Sequence, residues 1–288
     1  MRYYRTVGAD GPRLVVRRGD DTYDLTATRP NVTAFEDLAS VAHTSNRTVD
    51  EVAGDLLNDI ETIPVPDNTA IGIPTLVDEV WAAGVTYEIS EQAREEESGM
   101  PEMYLDVYEA DRPEVFFKAT WDRVVASGDA VGVREDSEWN VPEPELGIVL
   151  YEGEIVGYTV GNDVSSRSIE GQNPLYLPQA KVYDRCCALG PCVATPETVG
   201  DPHDLVITMT VERNGKTVYQ GKTSTGEMVR TCKELVSYLC RHNTVPESAV
   251  LLTGTSLVPE EGFSLRPADE VYIDIENIGY LANHVTTV

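Results

Sequence analysis

Along the first seventy residues the apolar positions change period. RYYRTV, PRLVVRR and DTYDL read as short strands, whereas NVTAFEDLASVA and TVDEVAGDLLNDI show helical spacing. Thr33 and the stretch from Ser45 to Asp50 offer cap residues for these helices. The pattern predicts a small N-terminal α/β domain over residues 1–70. Proline and glycine then punctuate IPVPDNTAIGIPTL, and residues 71–288 change character. EISEQAREEESG, charged and free of proline, predicts an exposed helix able to act as a lid. From about Pro113 onward EVFFKAT, AVGVRED, ELGIVL, EIVGYTVGNDV, LVITMTVERNGKTVYQG and EVYIDIENIG read as strands. Asn214-Gly215, between two alternating runs, calls for a hairpin with a type I′ turn. One amphipathic helix, EMVRTCKELVSYLCRH, sets Met228, Cys232, Leu235, Val236 and Leu239 on one face as core. The class is α+β, rich in strands in its larger C-terminal part.

Composition narrows the function classes. A chain of 288 residues can bury a large core of its own. Its 49 acidic residues face 22 basic ones, a net charge of -27. Such a charge strains a compact state in dilute salt and keeps it hydrated where salt screens it, so a salty, halophilic cytoplasm is expected. Nucleic acid and anionic membranes need basic patches, and neither is expected as a partner. Five cysteines without a CxxC pair or a histidine cluster suggest neither zinc nor a disulfide framework. The N-terminus lacks an apolar signal core and no run reaches membrane-spanning length, which points to a cytoplasmic protein.

Only individual acids can then report chemistry. PEPELGIVL, residues 142–150, places two glutamates at the mouth of an apolar strand, where buried carboxylates must be paired, protonated or bound to a metal. Residues two apart on a strand share a face, so Glu143 and Glu145 can converge on one cation. YEGEIVGYTVGNDV turns near Glu152-Gly153 and runs back; with Gly153 at the centre of the turn, Asp163 stands opposite Glu143. The turn type decides that register. Three carboxylates without a soft ligand suit Mg²⁺ or Mn²⁺, against the alternative of three more solvated acids.

The stretch PEPELGIVLYEGEIVGYTVGNDVSSRSIEGQNPLYLPQAKVYDRCCALGP resembles the core of the fumarylacetoacetate hydrolase superfamily. That pattern has a Glu-x-Glu strand, a GYT-x-x-(N/D)D-(V/W)-S-(A/S)-R segment, a lysine-bearing loop and a Leu/Phe-Gly-Pro. LTGTSLVP is similar to the family's Thr-Gly-Thr loop, and the likeness covers roughly residues 76 to 288. The resemblance implies a divalent metal on Glu143, Glu145 and Asp163, and a fumarylacetoacetate-hydrolase-like mixed β-sheet roll over residues 71–288. It also implies a homodimer or homotetramer. Hydrolase members usually carry Asn-Tyr-x-x-His in their lid, but this chain reads Thr86-Tyr87-Glu88-Ile89-Ser90. A serine in the histidine's place cannot act as a general base near neutral pH without a partner.

The wider pattern, with RPEVFFKAT, DSEWNVPEPEL and NPLYLPQAK, looks instead like the superfamily's 2-keto-3-deoxy-pentonate dehydratases. These lyases act on arabinonate or xylonate derivatives in pentose catabolism and form 2,5-dioxopentanoate. Such a dehydration needs a metal, a base and a proton shuttle, and no nucleophile. Lys181, in the loop after the third ligand, is the shuttle candidate; burial beside a cation is expected to lower its pKa and leave a neutral amine. Glu114, at the head of an apolar strand, would by resemblance help expel the hydroxyl, and Lys118 could be a structural counter-ion. Thr255 offers a hydroxyl to the substrate carboxylate, while Arg167 could neutralise that anion or brace the Asp163 loop. His43, His203, His242 and His284 form no constellation. The rival readings are an acylpyruvate hydrolase or oxaloacetate decarboxylase on the same metal site, and a non-catalytic metal- or sugar-acid-binding protein.

Overall fold

The computed structural model of the chain describes residues 1–58, 60–64, 71–87, 106–260 and 262–288. The expected lid helix and Ser90 lie outside these residues.

The N-terminal strands β1 (Arg2–Gly8), β2 (Gly11–Arg18) and β3 (Asp21–Asp24) form an antiparallel meander, followed by α1 (Leu25–Thr28), α2 (Phe35–Ser45) and α3 (Val49–Leu57). Alternation turns Tyr3, Leu14 and Val16 inward, where they share a core with Phe35, Leu38, Val52 and Leu57. Thr48 caps α3 by accepting from the Glu51 N–H (3.2 Å), and Glu51 accepts from the Thr48 N–H (2.9 Å). Thr33 does not cap α2; the Asp37 carboxylate satisfies the Thr33 and Ala34 N–H groups instead (2.7 and 3.0 Å).

The rest of the chain supplies β4 (Glu79–Gly84), β5 (Glu114–Thr120), β6 (Val124–Val125), β7 (Ala130–Val133), β8 (Asn140–Val141), β9 (Pro144–Tyr151), β10 (Glu154–Asp163) and β11 (Ser165–Ser166). Two short helices, α4 (Arg167–Gln172) and α5 (Leu177–Lys181), lead to β12 (Cys187–Ala194) and α6 (Pro196–Val199). Then come β13 (Val206–Arg213), β14 (Lys216–Ser224), α7 (Cys232–Cys240), β15 (Ser248–Leu252), β16 (Glu270–Ile275) and β17 (Gly279–Thr287).

Among the described residues the larger sheet runs β3-β2-β1-β12-β10-β9-β15-β4-β5, with β6 paired to β12. Most of its pairs are antiparallel, while β15–β4 and β12–β6 are parallel, so the sheet is mixed. The segment read as a small N-terminal domain joins this sheet through Arg2↔Ala194 and Tyr3↔Val193. A second sheet, β14-β13-β16-β17-β7, packs against the first; Leu146, Ile148 and Val160 meet Ile207, Met209, Ile273 and Leu281 in one core. The Asn214-Gly215 turn has φ of 53° and 69°, as a type I′ hairpin requires. Helix α7 buries Cys232, Leu235, Val236 and Leu239, while Met228 precedes the helix and packs partly buried on the same core. No described helix is long and apolar enough to cross a membrane.

Candidate metal centre and active site

The β9–β10 hairpin builds the centre. Its turn residues Glu152 and Gly153 have φ of 50° and 77°, and Tyr151 pairs with Glu154. That register alone would set Asp163 against Pro142. A bulge between Ile155 and Gly157 shifts the ladder by one residue, and the Asp163 N–H donates to the Glu143 carbonyl at 2.9 Å. The expected juxtaposition is therefore present, reached by a two-residue turn plus a bulge rather than by a turn centred on Gly153. Glu143, Glu145 and Asp163 are buried, and each offers an oxygen within 4.8 Å of the others.

Three cationic side chains close around two of these acids. Lys181 Nζ lies 2.6 Å from Glu143 Oε2 and 3.2 Å from Asp163 Oδ2, and donates to Ser165 Oγ at 2.7 Å. Lys118 Nζ lies 2.5 Å from Asp163 Oδ1, and Arg167 Nη2 lies 3.1 Å from Glu143 Oε1. Arg167 thus pairs with an expected ligand. Glu145 is different: its Oε2 accepts the Gly254 N–H at 2.6 Å, and no lysine or arginine among the described residues forms an ion pair with it. Gly254 has φ +81°, and a Cβ there would lie 2.3 Å from Thr86 Oγ1 and 2.7 Å from the Ala83 carbonyl, so glycine alone fits.

Electrostatics follow from this layout. Burial pushes the Glu145 carboxyl well above its ordinary pKa, and the charges of Asp163 and Glu143 add to the effect. Burial also works against Asp163, but Lys118 and Lys181 outweigh it and hold that carboxyl low. For Lys181 burial favours the neutral amine, yet Asp163, Glu143 and Glu170 dominate and hold the pKa well above normal. The expected lowering depends on a cation beside the amine; without one, these carboxylates hold the side chain toward the ammonium form.

A cavity of about 760 Å³, counting its open mouth, is lined by all three acids together with Lys181, Glu114, Thr255 and Arg167. Every residue singled out from the sequence as catalytic, substrate-binding or metal-ligating therefore meets in one place. Glu114 projects from β5, and burial, then the neighbouring Glu170, pushes its pKa up to about 7. Thr255 Oγ1 accepts the Leu257 N–H at 3.0 Å, which leaves its hydroxyl proton to donate. The Tyr87 hydroxyl, buried and lining the same cavity, has no partner among the described residues. No histidine lines it, and all five cysteines are free.

Ser165, Gly84, Gly254, Tyr87 and Glu170 also shape the site, although none stands out from the sequence as a candidate. Ser165 and Glu170 stand in the same segment as Asp163 and Arg167, two and three residues beyond them, which was signal enough to include them. The glycines carry no chemistry of their own and become visible only through what their missing side chains make room for.

Residues 79–286 match the family model described as fumarylacetoacetate (FAA) hydrolase C-terminal. The chain belongs to this family. Over the full length of both proteins it is 62 % identical to a probable 2-keto-3-deoxyxylonate dehydratase of Haloferax volcanii. It is 44 % identical to the 2-dehydro-3-deoxy-D-arabinonate dehydratase of Saccharolobus solfataricus over 72 % of this chain and 71 % of that one. The solved structure of a 2-keto-3-deoxy-D-arabinonate dehydratase complexed with magnesium and 2,5-dioxopentanoate superposes with a TM-score of 0.85 at 34 % identity, covering 100 % of this chain and 99 % of the other. For this family member, the donor set fits a divalent cation: among the described residues it has three convergent carboxylates, no nitrogen or sulfur ligand, and a buried Glu145 in no ion pair with a lysine or arginine.

Proposed function

We propose that the chain is a hydro-lyase that converts a 2-keto-3-deoxy-pentonate, an arabinonate or xylonate derivative, to 2,5-dioxopentanoate in pentose-acid breakdown. The observation that carries this reading is the gathering of Glu143, Glu145, Asp163 and Lys181 in one cavity, on a chain similar from end to end to such dehydratases. Glu143, Glu145 and Asp163 would hold Mg²⁺, with Mn²⁺ as the alternative. When bound, the cation supplies Lewis-acid stabilisation of negative charge on the substrate's keto oxygen and, by engaging the same carboxylates, favours the neutral form of Lys181.

Lys181 and Glu114 then form the proton-transfer pair. Loss of the C3 proton and the C4 hydroxyl removes water, and a double-bond shift to C4–C5 gives the enol of the terminal aldehyde. Glu114, with its pKa near 7, holds a proton to give to the departing hydroxyl at neutral pH. Lys181, beside Glu143 and Asp163, takes the C3 proton. Thr255 and the Tyr87 hydroxyl supply donors for the substrate's carboxylate and oxygens, and Arg167 holds Glu143 in place. The enzyme works in a salty cytoplasm as a homodimer or homotetramer, a state that light scattering in high salt reads directly.

The test is to incubate the pure protein in high salt with Mg²⁺ and 2-keto-3-deoxy-D-xylonate or its C4 epimer, and to look for 2,5-dioxopentanoate. Absence of that product with both epimers, together with pyruvate release from acylpyruvates, would overturn the reading in favour of a hydrolase. Glu143→Gln and Asp163→Asn are expected to abolish turnover through loss of Mg²⁺ affinity, measured by calorimetry. Full turnover at saturating Mg²⁺ in either variant removes that residue from the ligand set.

A further inference from the structure

Strand β5 turns Glu114, Phe116 and Lys118, each two residues from the next, toward the site. Glu114 and Phe116 line the cavity, and the Lys181 ammonium sits 5.5 Å from the centre of the Phe116 ring. Lys118 lies deeper and is fully buried. Its Nζ has three partners: Asp163 Oδ1 at 2.5 Å, the Val164 carbonyl at 3.0 Å and the Lys181 carbonyl at 2.5 Å. Hydrogen bonds to the two carbonyls and an ion pair with the carboxylate thus surround the ammonium.

The choice of partners is informative. A counter-ion for Asp163 needs only the carboxylate, which Lys181 Nζ already reaches from the other side at 3.2 Å. Lys118 also holds the last carbonyl of α5, the helix whose final residue is Lys181. Carbonyls at a helix C-terminus lack partners within the helix and attract cations. One ammonium therefore ties the main chain of the proton-transfer residue to a ligand carboxylate and to the residue after it. We propose that Lys118 is a positioning residue: it fixes the backbone of Lys181 relative to Asp163, so that β5 sets where the Lys181 amine stands in the cavity. This rests on Lys181 acting in proton transfer, as in the function proposed above.

The test is a double-mutant cycle at saturating Mg²⁺ with Lys118→Met and Lys181→Met. Lys118→Met is expected to lower kcat about 10²-fold, the scale of a misplaced catalytic group, with KM nearly unchanged. In the Lys181→Met background the same change should lower kcat by less than about twofold, because the group it positions is gone. A kcat for Lys118→Met within about twofold of the unaltered protein, or effects of the two changes that multiply, would overturn the proposal. If Lys118→Met does not fold, Lys118→Gln, which loses the charge and keeps two N–H donors, is read in the same way. Turnover by the unaltered chain decides the dehydratase reading separately. Should it be absent, Mg²⁺ affinity by calorimetry replaces kcat in the cycle: coupled effects uphold the positioning role, and additive ones remove it.

Discussion

At Gly84 a missing side chain decides where the Glu114 carboxyl stands. Gly84 and Glu114 face one another across β4 and β5, and a Cβ on residue 84 would lie 2.0 Å from Glu114 Oε2. Gly84→Ala must therefore push the carboxyl out of its seat. A group displaced by about 1 Å can cost on the order of 10² in rate. We expect kcat to fall by about that factor while Mg²⁺ affinity, which depends on β9 and β10, stays unchanged; equal kcat in the variant would show that Glu114 has freedom to spare. The pH dependence gives a second check on the same residue. An acid whose pKa is raised to about 7 is protonated below that value and ionised above it. As proton donor it makes kcat fall as pH rises through about 7; as base it would make kcat rise there. Glu114→Gln removes that limb and lowers kcat by about 10²–10⁴, the usual range for a general acid. A limb that survives the substitution belongs to another group.

Among the elements, the β9–β10 hairpin shows what the sequence disclosed and what it hid. Alternation and a turn centred on Gly153 bring Asp163 opposite Glu143, but the two-residue turn and the bulge at Val156 that place it there were not legible, because nothing in EIVGYT marks an extra residue. A Cβ on Gly157 would lie 2.4 Å from Val193 Cγ1 and 3.0 Å from the Ala194 carbonyl, so β10 passes close to β12 here. Strands β12 and β15 also escaped sequence reading: every residue of both is buried, which erases alternation, and Pro191 argues against a central strand. In β17 the inward row Leu281, Asn283 and Val285 contains an amide, held by the Ala126 and Asp129 carbonyls (2.8 and 3.0 Å), and the polar member masks the pattern. The acids were legible because they interrupt apolar runs; Lys118 was visible as a lysine, but its bond to the Lys181 carbonyl depends on contacts 63 residues apart. Deleting Val156 tests the bulge. Gly157 would then follow Ile155 and still stand opposite Val149, so a regular ladder keeps Asp163 opposite Glu143. The expected result is a folded chain that retains Mg²⁺ binding by calorimetry. Lost binding would mean that the extra twist the bulge gives β10, and not the register alone, brings the carboxylates together.

Over the whole molecule, two kinds of acid obey different rules. The site gathers Glu143, Glu145 and Asp163 beside Lys118, Lys181 and Arg167, so three acidic and three basic groups face one another in a buried space. Their interactions act over a few ångströms in an interior that mobile ions do not screen. Beyond the site the chain still carries its net charge of -27, most of it in exposed carboxylates that repel one another. The Debye length shrinks from about 10 Å at 0.1 M salt to about 3 Å at 1 M, so added salt removes the surface repulsion and leaves the site nearly untouched. Thermal unfolding followed in KCl should therefore show a midpoint that climbs steeply between about 0.1 and about 1 M and then flattens. Sucrose at matched osmolarity should raise it less, since it stabilises by exclusion from the surface and screens nothing. A midpoint independent of KCl would mean that the surface acids are already compensated within the fold, and the salty cytoplasm inferred from composition would lose its support.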